Sequence, residues 1–95
     1  MSVSQVTVRH SFSYNGIRIN VFHANKGEGL QMHGHEYSHA TICNAGSCKV
    51  SLKNGKTAVM TKNTQPINLP AGIEHEIEAL EDDTVFVNVF AEGKN

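Results

Sequence analysis

Residues 75–90 read HEIEALEDDTVFVNVF, and both halves of this stretch describe strands. With Glu74 in front, His75, Ile77 and Ala79 alternate with Glu74, Glu76 and Glu78. That period of two puts three carboxylates on one face of a strand and apolar groups on the other. After Asp82-Asp83, a turn signal, the chain from Val85 to Phe90 is apolar on both faces, as expected of a strand covered on each side. One residue does not suit its company. His75 shares the inward parity of Ile77 and Ala79, where a buried imidazole costs free energy unless something pairs with it.

The same reading extends outward. Val3 and, out of phase, Val6 and Val8 suggest an N-terminal strand. Ile17, Ile19 and Val21 alternate with Arg18 and Asn20, and Cys48, Val50 and Leu52 alternate with Lys49 and Ser51; both read as half-buried strands with the aliphatic set inward. Asn15-Gly16 and Asn54-Gly55 are dipeptides of type I′ hairpins, whose two central residues need positive φ. Pro66 and Pro70 bracket Ile67–Leu69, an extended edge segment that enters a turn at Ala71-Gly72. No window keeps a helical apolar stripe with caps. Eight or nine short strands at such intervals predict an all-β sandwich or barrel in a single domain, residues 1–95.

Composition narrows the function. Eight Lys and Arg against nine Asp and Glu give a formal charge of -1, with no basic run interleaved with aromatics, which argues against nucleic acid. No apolar run approaches the roughly 20 residues of a membrane helix, and MSVSQVTVRH lacks the apolar stretch of a signal peptide. The expectation is a soluble, cytoplasmic protein. Cys43 and Cys48 flank Asn44–Ser47, a turn-like tetrapeptide that would let them face each other across a hairpin. Two cysteines are too few for a disulfide framework, so buried free thiols are the favoured reading; a disulfide stays open for an exported chain.

His33, His35 and His39 lie within HGHEYSH, residues 33–39. On extended backbone His33 and His35 project from one face, and His39 continues their parity. Imidazole is a common neutral ligand of divalent transition ions, so the triplet is a candidate metal site and His75 a candidate fourth ligand. His10 and His23 have no such company and read as surface or hydrogen-bonded residues.

These residues resemble the cupins. The first cupin motif runs Gly, five residues, His-x-His, three or four residues, Glu, six residues, Gly; here Gly27, His33, His35 and Gly46 match, with His39 in the glutamate's place. The second runs Gly, five residues, Pro-x-Gly, two residues, His, three residues, Asn; here Pro70, Gly72 and His75 match, whereas Thr64 and Ala79 depart. The resemblance implies a jelly-roll β-barrel holding a divalent transition metal ion (iron, manganese, nickel, zinc or copper) on His33, His35, His39 and His75. It also implies a homodimer, paired through an outer sheet or through a swapped N-terminal strand such as Val3–His10. The implied chemistry is oxygenation or isomerisation of a small oxo or hydroxy compound.

By parity the interior takes Thr41, Cys43, Cys48, Val50 and Leu52, and from the last strand either Phe86, Asn88 and Phe90 or Val85, Val87 and Val89; the phenylalanine set is favoured, with Asn88 a hydrogen-bond partner behind the ligands. Tyr37 either gates the mouth or is exposed. No nucleophile motif or glycine-rich phosphate loop is present, and no catalytic residue is assigned. Three readings stay open: a metal-dependent enzyme, a non-catalytic module binding a metal or a sugar-like ligand, and a structural dimer with histidines that have lost their function.

Overall fold

The computed structural model describes residues 3–92. Ten strands account for the regular structure of these residues, without a helix: β1 (Ser4–Gln5), β2 (His10–Tyr14), β3 (Ile17–Ala24), β4 (Glu28–His33), β5 (His39–Ala45), β6 (Ser47–Leu52), β7 (Thr57–Thr61), β8 (Ile67–Leu69), β9 (His75–Ala79) and β10 (Thr84–Ala91). They form two five-stranded sheets, ordered β1-β4-β9-β6-β7 and β2-β3-β10-β5-β8. The chain is all-β, as its period-two patterning predicts. No helix of the described residues is long and apolar enough to cross a membrane.

The core lies between the sheets and follows the parity of β9 and β10. Ile77 and Ala79 are buried beside His75, whereas Glu76 and Glu78 are part-exposed and Glu74 is exposed. Phe86 packs against Phe22 with ring centroids 5.0 Å apart, and Met60, Leu69, Val50 and both cysteines fill the space around them.

The β3 strand inverts its expected orientation. The side chains it buries are Phe22 and Ala24, so Ile17, Ile19 and Val21 lie on the outer face. Register is the reason. Phe22 pairs with the inward Phe86, which obliges Val21 to pair with Val87 and Ile19 with Val89 on the other side. The outer face of this sheet is therefore aliphatic across three strands and ends in the exposed Phe12 and Tyr14 of β2. β10 is accordingly covered on one face only within the chain.

The connections also differ in detail from expectation. Asn15 and Gly16 take φ of 53° and 85°, as a type I′ turn requires, but at the second site only Gly55 is left-handed, at 98°. There Gly55 N–H donates to Leu52 and Leu52 N–H to Lys56, the three-residue turn-and-bulge connection in place of a two-residue one. Asn44–Ser47 is not a hairpin: β5 and β6 belong to different sheets, and the chain crosses between them at Gly46. Gly46 has φ 73°, and a Cβ there would lie 2.9 Å from Thr84 Cα. Cys43 and Cys48 consequently sit on opposite sheets as buried free thiols. At the N-terminus only Ser4–Gln5 forms a strand; it pairs in parallel with Glu28–Gly29 of its own chain, and Gln31 ties it down through Val3 O and Gln5 Oε1.

Candidate metal centre

The four histidines come from three strands and one connection. His33 ends β4, His39 begins β5, His75 begins β9, and His35 lies in the connection between β4 and β5. The two strand starts and the strand end lie at the end of the barrel away from Gly46. His39 and His75 sit at the inward positions of their strands and are buried. His33 is brought inward by an irregularity. Leu30 pairs with Ile77 and His33 with His75, so β4 uses three steps where β9 uses two. This bulge turns His33 to the side that Leu30 already occupies.

The connection carrying His35 is held from below. Gly72 N–H donates to His35 O at 2.8 Å, which ties the Pro70–Gly72 turn to the histidine loop and accounts for the two motif regions meeting. Above, Tyr37 stacks on the His35 ring at 4.7 Å and on Phe90 at 4.9 Å, so Tyr37 is neither free nor fully exposed. Phe86 and Asn88 are buried and Phe90 half-buried, as the inward set of β10 predicts.

One nitrogen from each of His33, His35 and His75 lies within 4.8 Å of the others. His39 joins through His75, their Nε2 atoms 3.2 Å apart. The protons on the far sides of the rings explain what that contact means. His33 Nδ1–H donates to Gln31 O at 2.7 Å and His75 Nδ1–H to Ile73 O at 3.2 Å, since a carbonyl can only accept. Thr41 Oγ1 gives its hydrogen to Asn88 Oδ1 at 2.8 Å and is left to accept from His39 Nδ1–H at 3.3 Å. In neutral rings so oriented, the Nε2 atoms of His39 and His75 are both lone pairs. Two acceptors facing each other with no hydrogen between them suit a shared cation.

Electrostatics point the same way. Burial, reinforced by His75 and then His35, pushes His39 down to about 4; burial, then His33, does the same to His75. His35 is lowered by burial and by His33. The rings of His35, His39 and His75 at neutral pH are thus neutral donors to a metal rather than imidazolium groups. Four imidazoles without a carboxylate fit a divalent transition ion of the zinc, iron, nickel or copper kind.

The other histidines play no part: His10 is exposed on β2, and His23 lies 3.2 Å from Asp83. Sequence reading missed the two backbone acceptors, because no side chain marks the carbonyls of Gln31 and Ile73. It also missed Leu69, which stands opposite His39 from the three-residue β8.

No family model and no curated protein matches the sequence. Solved structures do match the fold. A cupin-2 domain protein from Shewanella frigidimarina is 11% identical, with a TM-score of 0.72 over 92% of this chain and 84% of that one. KdgF from Halomonas sp. is 17% identical, with a TM-score of 0.78 over 90% and 78%. A cupin superfamily protein from Desulfitobacterium hafniense is 10% identical, with a TM-score of 0.71 over 92% and 82%. At these identities the likeness is one of fold. The chain has the fold of a small cupin, with a histidine cluster at one end of its barrel that could hold a metal ion.

Proposed function

We propose that this protein is a metal-dependent oxygenase or isomerase acting on a small oxo or hydroxy compound at a centre formed by His33, His35, His39 and His75. The observation that carries the reading is that the Nε2 atoms of His39 and His75 face each other at 3.2 Å, with His33 and His35 beside them. A bound divalent ion would supply Lewis acidity toward a carbonyl or enediol oxygen and, if redox-active, reactivity toward dioxygen.

The chain's own residues do the rest. Gln31 O, Ile73 O and Thr41 Oγ1 hold the Nδ1 protons and aim the Nε2 lone pairs inward. Tyr37 stacks on His35 and is itself backed by Phe90, which holds one side of the cluster in place. Four ligands leave one or two positions for an oxygen of the substrate.

A second reading, a non-catalytic metal or sugar-like ligand-binding module, is favoured by one observation: among the described residues the cluster holds no carboxylate that could serve it as a general base. Elemental analysis of untagged protein tests the common part, with one transition ion per chain expected and none in His75→Ala; an empty wild-type protein refutes both. Dioxygen uptake or proton exchange with diketones, enediols and 2-oxo acids then separates them, a flat response favouring the binding module.

We propose also that a second copy of the chain covers the aliphatic outer face of Ile19, Val21, Val87 and Val89. Part-exposed aliphatic surface continuous from β3 through β10 to Ile42 of β5, next to Phe12 at 50% exposure, supports this homodimer.

A further inference from the structure

The two sheets end side by side in β7 and β8, and between these edges lies a cavity of about 230 Å³. Val50, Leu52, Ala58, Ile67 and Leu69 make its walls mostly apolar, with Thr57 and Asn68 the neutral polar residues of the lining and Lys56 the one charged residue. Its position relative to the histidines follows from the ladders. Leu52 stands opposite His75, and Leu69 stands opposite His39. Residues directly opposite share a face, so the two leucines lie between the imidazoles and the cavity. One step farther along the same row, Leu52 N–H donates to Lys56 O, which puts Lys56 two strands from His75 on the inner face. The neighbouring row, Ile77, Val50 and Ala58, is apolar throughout.

Lys56 thus stands at the rim of the slot, and the imidazoles lie beyond Leu52 and Leu69, outside its lining, while its depth is aliphatic. Lys56 forms no ion pair among the described residues, whereas Lys53 reaches Glu74 at 3.5 Å. A sugar, with hydroxyls on every side, finds only Thr57, Asn68 and Lys56 in the slot to replace its water. An aliphatic chain matches it. Taking about 30 Å³ for each water-sized group, the volume accommodates roughly seven non-hydrogen atoms.

We propose that the slot between β7 and β8 binds the alkyl body of the substrate, and that the substrate is a medium-chain carboxylic acid with an oxo or hydroxy group at carbon 2. The carboxylate faces Lys56, the neighbouring oxygen faces the histidines, and the chain runs down past Leu52 and Leu69 toward Val50, Ala58 and Ile67. This names the substrate class of the centre proposed above and rests on that reading for its reacting end.

The test begins with metal-free protein carrying methyl labels on Ile, Leu and Val, titrated with straight-chain 2-oxo acids of three to eight carbons. The expected result is methyl shifts at Val50, Leu52, Ile67 and Leu69, with affinity rising about three- to fourfold per methylene until the slot is full. Ala58→Phe fills the slot from an exposed edge position and should abolish the chain-length dependence. Lys56→Met should weaken the acids and leave the matching alcohols unchanged. Equal affinity along the series, shifts confined to the outer face around Val87, or a Lys56→Met protein that holds acids as well as before would overturn the proposal. A second arm adds zinc and follows the imidazole signals. Failure of zinc to bind removes the metal reading while the slot stands or falls on the first arm. Zinc binding that leaves the affinity for the acids unchanged shows two separate sites, and overturns the substrate assignment.

Discussion

His33 lies directly opposite His75 across the β4–β9 ladder, although His33 is three residues beyond Leu30 and His75 only two before Leu30's partner, Ile77. The extra residue is absorbed in a bulge at Gln31 and Met32, both exposed. Deleting Met32 should regularise the ladder and keep His33 opposite His75, so metal content should survive. His33→Ala should lose more than the roughly 10- to 100-fold in affinity that removal of an outer partner costs. Competition with a chromogenic chelator measures both, and metal loss on deleting Met32 would refute the register argument.

Thr41 links Asn88 to His39, and both are buried behind the cluster. Thr41→Val keeps the shape but removes the acceptor that orients the His39 ring. Zinc affinity should fall about 10- to 100-fold. Folding should also suffer, by about 1–3 kcal/mol, because Asn88 Oδ1 loses its donor. Chelator competition and urea unfolding on the same variant separate the two effects.

Backbone crowding sets two glycines. A Cβ on Gly29 would overlap the carbonyl oxygen of Ile77 where β4 meets β9, and one on Gly46 would meet Thr84 at the crossing between the sheets. Gly29→Ala and Gly46→Ala should each destabilise by about 3 kcal/mol or more, in the range of strain at a constrained site. Urea midpoints at constant m measure this, and a loss under about 1 kcal/mol would contradict the close approach.

The thiols give a pH signature. Burial, with Cys43 alongside, pushes Cys48 up to about 12. An unfolded thiol ionises near 8.5. The raised value means that Cys48 contributes stability fully present below about pH 8.5 and lost as the pH rises toward 12, because only the unfolded chain releases the proton in that window. The urea midpoint should fall between pH 8.5 and 10.5, and by less in Cys48→Ala. At pH 8 the native protein should resist alkylation at both cysteines, with two sites per chain reacting in urea.

The aliphatic outer face makes a separate prediction. Val87→Glu places a carboxylate between Val21 and Ile42, its ladder neighbours, without touching the core. Sedimentation should find wild-type dimer and variant monomer. A wild-type monomer at 100 µM would refute the proposed pairing.

Much of the fold was legible because alternation survives wherever one sheet face is buried. His75, Ile77 and Ala79 against three glutamates identified the inward side of β9, and Phe86 and Asn88 that of β10. β3 was misread for the same reason. When both faces are apolar enough, Ile19 and Val21 look no different from core residues, and only pairing with β10 decides which side Phe22 takes. The crossing at Gly46 was mistaken for a hairpin because a turn residue does not tell to which sheet the next strand belongs.

The sequence by itself determined that the chain is built of short strands, and which histidines were available at spacings suited to one ion. Those are local properties, period and composition. Tertiary structure decided that His33 turns inward through a bulge, that the Gln31 and Ile73 carbonyls choose the tautomers, and that Leu52 and Leu69 place an apolar slot beside the cluster. Each of these depends on a register between strands distant in sequence, and register is settled by the packing of the whole core rather than by any one strand.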